Sequence, residues 1–110
     1  LLNTTLTVRE HAANSHAKLG WKTLTDAIVR LCLQLEQPVV FLTWGRHAID
    51  MVEAAREATD ATANKFFLAS THPSATRAAG DLPAFMGSRP FSRTNELLAQ
   101  HGAIPIDWCA

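Results

Sequence analysis

A histidine, a proline and a serine, His72-Pro73-Ser74, follow the apolar run Lys65-Phe66-Phe67-Leu68-Ala69-Ser70. An imidazole held at the carboxyl end of a buried strand, with a proline stiffening the loop, can aim a ring N–H at a substrate. There it could stabilise developing negative charge. The opening residues Leu1-Leu2-Asn3-Thr4-Thr5 read as the same arrangement with an amide: a strand end presenting a polar side chain. Open parallel α/β sheets bind their ligands at such ends. Each residue also has a plain structural reading, the histidine as a satisfied neighbour of the strand and the asparagine as a turn or cap.

The elements that would position these groups follow from periodicity. Trp21, Leu24, Ile28, Leu31 and Leu35 recur at helical spacing over Trp21–Glu36, and Thr23-Leu24-Thr25-Asp26 resembles a capping box. After Pro38, Val39-Val40-Phe41-Leu42 is short, continuous and β-branched or aromatic, as suits a strand buried on both faces. Trp44-Gly45-Arg46-His47 makes the turn into a helix running to about Ala58, with Ile49, Val52 and Ala55 inward. Thr59–Asn64 is a polar linker and Phe66–Ala69 a further strand. The long irregular stretch Thr71–Pro90 has the length of a functional loop. Ser92 is placed to cap a last helix, and Gly102 to end it. Strands alternating with helices predict an α/β fold with a parallel sheet.

Composition narrows the class. The 110 residues are 47% hydrophobic and 18% charged, as in a globular domain, and no apolar run is long enough to span a bilayer. Ten basic and ten acidic side chains cancel, which argues mildly against a broad nucleic-acid grip. The distribution is uneven, however: His72–Arg93 holds Arg77, Arg89 and Arg93 against the single acid Asp81. Cys32 and Cys109 lack metal-ligand spacing and fit a reduced, cytoplasmic setting, with no metal site and no cofactor motif. The chain opens inside an apolar strand without a methionine, which reads as truncation.

Six strings in order resemble the C-terminal half of family 1 uracil-DNA glycosylases, over nearly the whole chain. They are Leu1-Leu2-Asn3-Thr4-Thr5-Leu6-Thr7-Val8; Asn14-Ser15-His16 with Gly20-Trp21 and Thr25-Asp26; Val40-Phe41-Leu42-Thr43-Trp44-Gly45; His72-Pro73-Ser74; Phe91-Ser92 with Thr94-Asn95-Glu96-Leu97-Leu98; and Pro105-Ile106-Asp107-Trp108. The resemblance implies a three-layer α/β/α fold around a central parallel sheet. Residues 1–110 would form the C-terminal part of a single domain, its N-terminal half absent. It implies a DNA-repair hydrolase that flips uracil out of DNA and cleaves its N-glycosidic bond. Its partners would be uracil-containing DNA and, as a further candidate, inhibitor proteins of such enzymes. It would work as a monomer, without a metal, a cofactor or a membrane.

The resemblance assigns Asn3 to reading the base: the amide gives N–H to uracil O4 and accepts from N3–H, the reverse of what cytosine needs. It assigns His72 to the leaving group, best as a neutral imidazole whose N–H points at O2. Ser74 becomes a DNA-backbone contact through hydroxyl or backbone N–H. His11, His16 and His47 read as structural or solvent-facing, and Trp21, Trp44 and Phe67 as core.

The departures are as informative. The family's water-activating aspartate lies in a Gly-Gln-Asp-Pro-Tyr-His stretch that this sequence does not contain, and the chain has no tyrosine. Where the family continues His-Pro-Ser-Pro-Leu-Ser, Ala75, Thr76 and Arg77 follow here, with about three extra residues beyond them. Leu82 or Arg77 would fill the stack that the family's leucine wedges open, and Arg46 stands where many relatives carry a serine. Arg46 and Arg77 as backbone contacts would grip phosphates by charge and steepen the salt dependence. On its own the chain is expected to be inactive and marginally stable, with an unpaired sheet edge. A catalytically incomplete or vestigial DNA-binding α/β domain is the competing reading.

Overall fold

Two of the three predicted strands form. β1 (Val39–Trp44) and β2 (Lys65–Ser70) pair in parallel, with Val39 opposite Lys65 and Trp44 opposite Ser70. A parallel pair cannot be joined by a tight turn, and α2 (Arg46–Glu57) supplies the crossover. α1 (Trp21–Gln34) precedes β1, and α3 (Pro90–Gln100) follows the long loop after β2. This computed structural model describes residues 1–61 and 63–109; Thr62, in the predicted linker, and Ala110 lie outside them.

The alternation of side chains along a strand creates three layers. Phe41 and Phe67, opposite one another in the register, stack at 5.3 Å and pack against Val29 and Leu33 of α1 and Met51, Val52 and Ala55 of α2. On the other face Phe66 meets His101 at 4.3 Å and Trp44 meets Phe91 of α3 edge-on at 6.1 Å. The fold is α/β, with the sheet between α1/α2 and α3.

Several local expectations are corrected. Leu1–Thr5 is not a strand, because a strand exists only through its ladder and the only sheet among the described residues is the β1–β2 pair. Leu1, Leu2 and Thr4 instead face the open edge of β1 across an apolar groove of about 560 Å³. The capping box does not form: α1 starts at Trp21, preceded by Gly20 in the left-handed conformation at φ 93°. Thr25 is fully buried inside the helix, and Asp26 pairs with Arg30 one turn on, at 2.7 Å. The buried face of α1 is Thr25, Val29 and Leu33, whereas Leu24, Leu31 and Leu35 of the predicted stripe are 48%, 64% and 40% exposed. α3 begins before Ser92, with Pro90 in its first turn, where the missing N–H costs nothing. Gly102 does end it, at φ 76°, and its N–H and that of Ala103 donate to Ala99 and Leu98.

The accessible surface is 7715 Å², against about 6,000 Å² for a self-contained domain of this mass. Much of the exposed apolar surface lies on Leu1, Leu2, the outer face of α1 and the tail residues Ile104, Ile106 and Trp108.

Candidate active site

Parallel pairing in register makes the carboxyl ends of β1 and β2 emerge side by side. Gly45 continues the ladder, its N–H donating to Ser70 at 2.9 Å, and then turns into α2 at φ 90°. A side chain there would need that left-handed backbone, and its Cβ would lie 3.5 Å from the Cβ of His72. The β1–α2 turn and the start of the β2 loop are therefore in contact.

The loop after β2 is pinned at both ends by Thr71. Its N–H donates to Pro83 at 2.9 Å, and its hydroxyl accepts from the N–H of Phe85 at 3.1 Å. Between these points Ala79 and Leu82 exchange backbone hydrogen bonds around Gly80-Asp81, and Asp81 at this tip reaches Arg46 at 3.6 Å. Both side chains are largely exposed, so the pair is weak.

His72 is fixed by its own loop. The backbone N–H of Ser74 donates to His72 Nδ1 at 3.1 Å, and the Ser74 hydroxyl lies 2.8 Å from the same nitrogen. An N–H cannot accept, so Nδ1 carries the lone pair and the ring proton of the neutral imidazole sits on Nε2. The Ala75 N–H closes the turn on the His72 carbonyl at 2.8 Å.

A cavity of about 550 Å³ lies at these strand ends, and Asn3, Asn14, Gly45, Arg46 and His72 are among the residues that line it. The amide and the imidazole, 69 positions apart in sequence, thus share one cavity. The first turn of α2, which has no acidic residue and no side-chain cap, forms part of the wall. Ser74 bonds to His72 and is not part of that wall, and Arg77 is exposed on the loop away from it. Among the described residues no cluster of three or more His, Cys, Asp or Glu side chains could hold a metal ion.

Sequence reasoning passed over three participants. Asn14, at φ 58°, brings a second amide to the cavity, Asp81 covers Arg46, and Thr25 donates to the carbonyl of Thr4, next to Asn3, at 3.2 Å. Asn14 and Thr25 stand in the strings that carry the resemblance, but nothing in their spacing gives either of them this contact. The indole N–H of Trp44, buried beside Phe85 and Phe91, has no hydrogen-bond partner among the described residues.

No protein-family model matches the chain. It is 49% identical over 109 residues to a protein of Bacillus subtilis (strain 168) named uracil-DNA glycosylase, covering 99% of this chain and 45% of that protein. The proteins of that name from Bacillus velezensis and Exiguobacterium sibiricum are 49% and 44% identical over 109 residues, with 44% and 46% of their lengths covered. The chain spans less than half the length of the curated relatives it matches.

Proposed function

We propose, since this chain belongs to the uracil-DNA glycosylases as their C-terminal half, that it supplies the base-reading and leaving-group halves of a uracil-excising site. The observation that carries the reading is the cavity at the carboxyl ends of β1 and β2, lined by both Asn3 and His72. A base turned out of the duplex would present one edge to the amide and another to the imidazole.

Each side chain has a definite task in this reading. Asn3 donates to O4 and accepts from N3–H, a pattern cytosine cannot match. As the bond between C1′ and N1 breaks, its electron pair passes to uracil and charge collects at O2. The Nε2–H of His72 answers that charge, which is much larger in the transition state than in the ground state. The two donors of Ser74 divide the work: the backbone N–H keeps hold of His72 Nδ1 while the hydroxyl turns to a phosphate. Arg46, at the rim of the cavity, and Arg77, on the loop, take further phosphates by charge.

Water must still attack C1′, and the 110 residues contain no Gly-Gln-Asp-Pro-Tyr-His stretch to activate it. The second reading, a DNA-binding domain without catalysis, would be favoured by a gene that lacks that stretch upstream as well. The wider reading is of a cytoplasmic monomer that acts on uracil-containing DNA, needs no cofactor and is open to inhibitor proteins of that activity. A chimera decides between the readings: these 110 residues replace the corresponding part of the Bacillus subtilis relative. Uracil release from a labelled oligonucleotide is expected from the chimera and not from the chain alone. A folded chimera that binds DNA yet releases no uracil overturns the enzymatic reading.

A further inference from the structure

Asn3 lies on a segment with no sheet ladder, yet an amide discriminates between bases only if it cannot turn over. Rotation by half a turn exchanges its C=O and NH₂ and reverses the pattern it reads. Something other than a strand must therefore hold the backbone around it.

The residues between Thr4 and Arg9 are held from one side by hydrogen bonds. The Thr25 hydroxyl, on a fully buried residue of α1, lies 3.2 Å from the Thr4 carbonyl and shares its proton with the Trp21 and Lys22 carbonyls. One turn earlier on the same helix face, the Trp21 indole N–H donates to Thr7 Oγ1 at 2.6 Å. His16 Nδ1 lies 2.8 Å from that Thr7 oxygen, and the Arg9 N–H donates to Ser15 Oγ at 2.9 Å. Ser15, His16, Trp21 and Thr25 do not themselves line the cavity. All four point their polar atoms at the Asn3 segment.

We propose that Thr25 and Trp21 are positioning residues for Asn3. The first two turns of α1, with Ser15 and His16, form a hydrogen-bonded cradle that sets the amide and hence the selectivity for uracil. The inference rests on the reading of Asn3 as the base-recognition group. The mechanism is lever-like: the Thr4 carbonyl belongs to the residue next to Asn3, so a shift there moves the amide directly. Trp21 pins the far end of the segment through Thr7. Neither residue lines the cavity itself.

The test uses the chimera, with Thr25→Val, Thr25→Ser, Trp21→Phe and Asn3→Ala. Valine has the shape of threonine without its hydroxyl, so packing inside α1 is kept. The readouts are inhibition by free uracil, the ratio of uracil to cytosine excision, and binding to uracil-free DNA of the same sequence. Thr25→Val should weaken uracil inhibition and lower kcat/KM by about 10- to 100-fold, the usual scale for a misplaced group. Thr25→Ser should restore both, and binding to uracil-free DNA should stay as in the parent. A merely structural role would move uracil-free binding and thermal stability together with the rest. The proposal is overturned if Thr25→Val leaves uracil inhibition unchanged, or if it weakens all three readouts alike. Should Thr25→Val not fold, Trp21→Phe decides by the same measurements. Asn3→Ala separates the two levels: if it leaves uracil inhibition intact, the reading of Asn3 is at fault. If it abolishes inhibition while Thr25→Val and Trp21→Phe do not weaken it, only the cradle fails.

Discussion

The backbone N–H of Ser74 points at Nδ1 of His72 across 3.1 Å, and this bond assigns the tautomer of the imidazole. A donor fixed at Nδ1 leaves the proton at Nε2, on the far side of the ring, where a leaving group can be met. The loop thus orients the ring through its backbone, which no side-chain substitution at position 74 short of proline removes.

His72→Ala in the chimera should lower single-turnover uracil release by about 10²–10³-fold, the typical effect of losing one oxyanion donor. Affinity for uracil-containing DNA, measured by fluorescence anisotropy, should be retained. Ser74→Ala keeps the backbone bond and should cost much less than His72→Ala, while Ser74→Pro should approach it. Equal losses for Ser74→Ala and Ser74→Pro would show that the hydroxyl, not the N–H, orients the ring.

Asn3→Asp tests recognition independently. A carboxylate has no amide donor for uracil O4 and can accept from the cytosine amino group, so excision of cytosine should rise relative to uracil. Assays on matched oligonucleotides that differ in one base give the ratio. An unchanged ratio would remove Asn3 from base reading.

How far such roles were legible depends on what each one rests upon. The strands were visible in Val39–Leu42 and Phe66–Ala69 because a buried parallel strand needs an unbroken apolar run. The true strands extend to Trp44 and to Lys65 and Ser70, since a backbone ladder continues past the last apolar side chain. The meeting of Asn3 and His72 was legible from the resemblance; the strand-end argument holds for His72 after β2 and fails for Asn3, whose segment has no ladder. The buried face of α1 was not: the helix carries two apolar stripes, and periodicity cannot say which is covered when Leu31 stays 64% exposed. Nor could spacing reveal that Thr25 serves the Asn3 segment instead of a helix cap, because that contact spans 21 residues. The tautomer of His72 depended on the direction of one N–H and had no trace in sequence.

Lys65 offers a prediction about stability at the opposite end of the sheet. Its ammonium is buried at the start of β2 and donates to the carbonyls of Leu35 and Gln37 at 2.6 and 2.9 Å and to Asn64 Oδ1 at 2.7 Å. Lys65→Met would remove these three hydrogen bonds, at a cost of about 1–3 kcal/mol, seen in urea denaturation of the chimera. Burial holds the lysine below its ordinary value of 10.5, with the charge state of Cys32 opposing. The folded state therefore binds the proton less well than the unfolded state does. Through this group, stability should rise with pH from the depressed folded value up to 10.5, a slope absent from Lys65→Met. A parallel pH profile for the two proteins would contradict that sign.

Asp81 lies beside Arg46, one of the residues that line the cavity. At 3.6 Å the carboxylate occupies one side of a guanidinium that a DNA phosphate would also claim. Both side chains face solvent, so the contact is easily exchanged and its removal should help binding only modestly. Asp81→Ala should tighten DNA binding, with the greatest gain at low salt, because a like-charged group near the phosphates is gone. Arg46→Ser should weaken binding across all sequences and reduce the slope of log affinity against log salt by about one. In the double variant the benefit of Asp81→Ala should shrink, since part of it comes from freeing Arg46. Titrations of the chimera against a uracil-containing oligonucleotide over a salt series measure all three quantities. If Asp81→Ala gains as much without Arg46 as with it, the two residues act independently and the loop tip does not compete for that arginine.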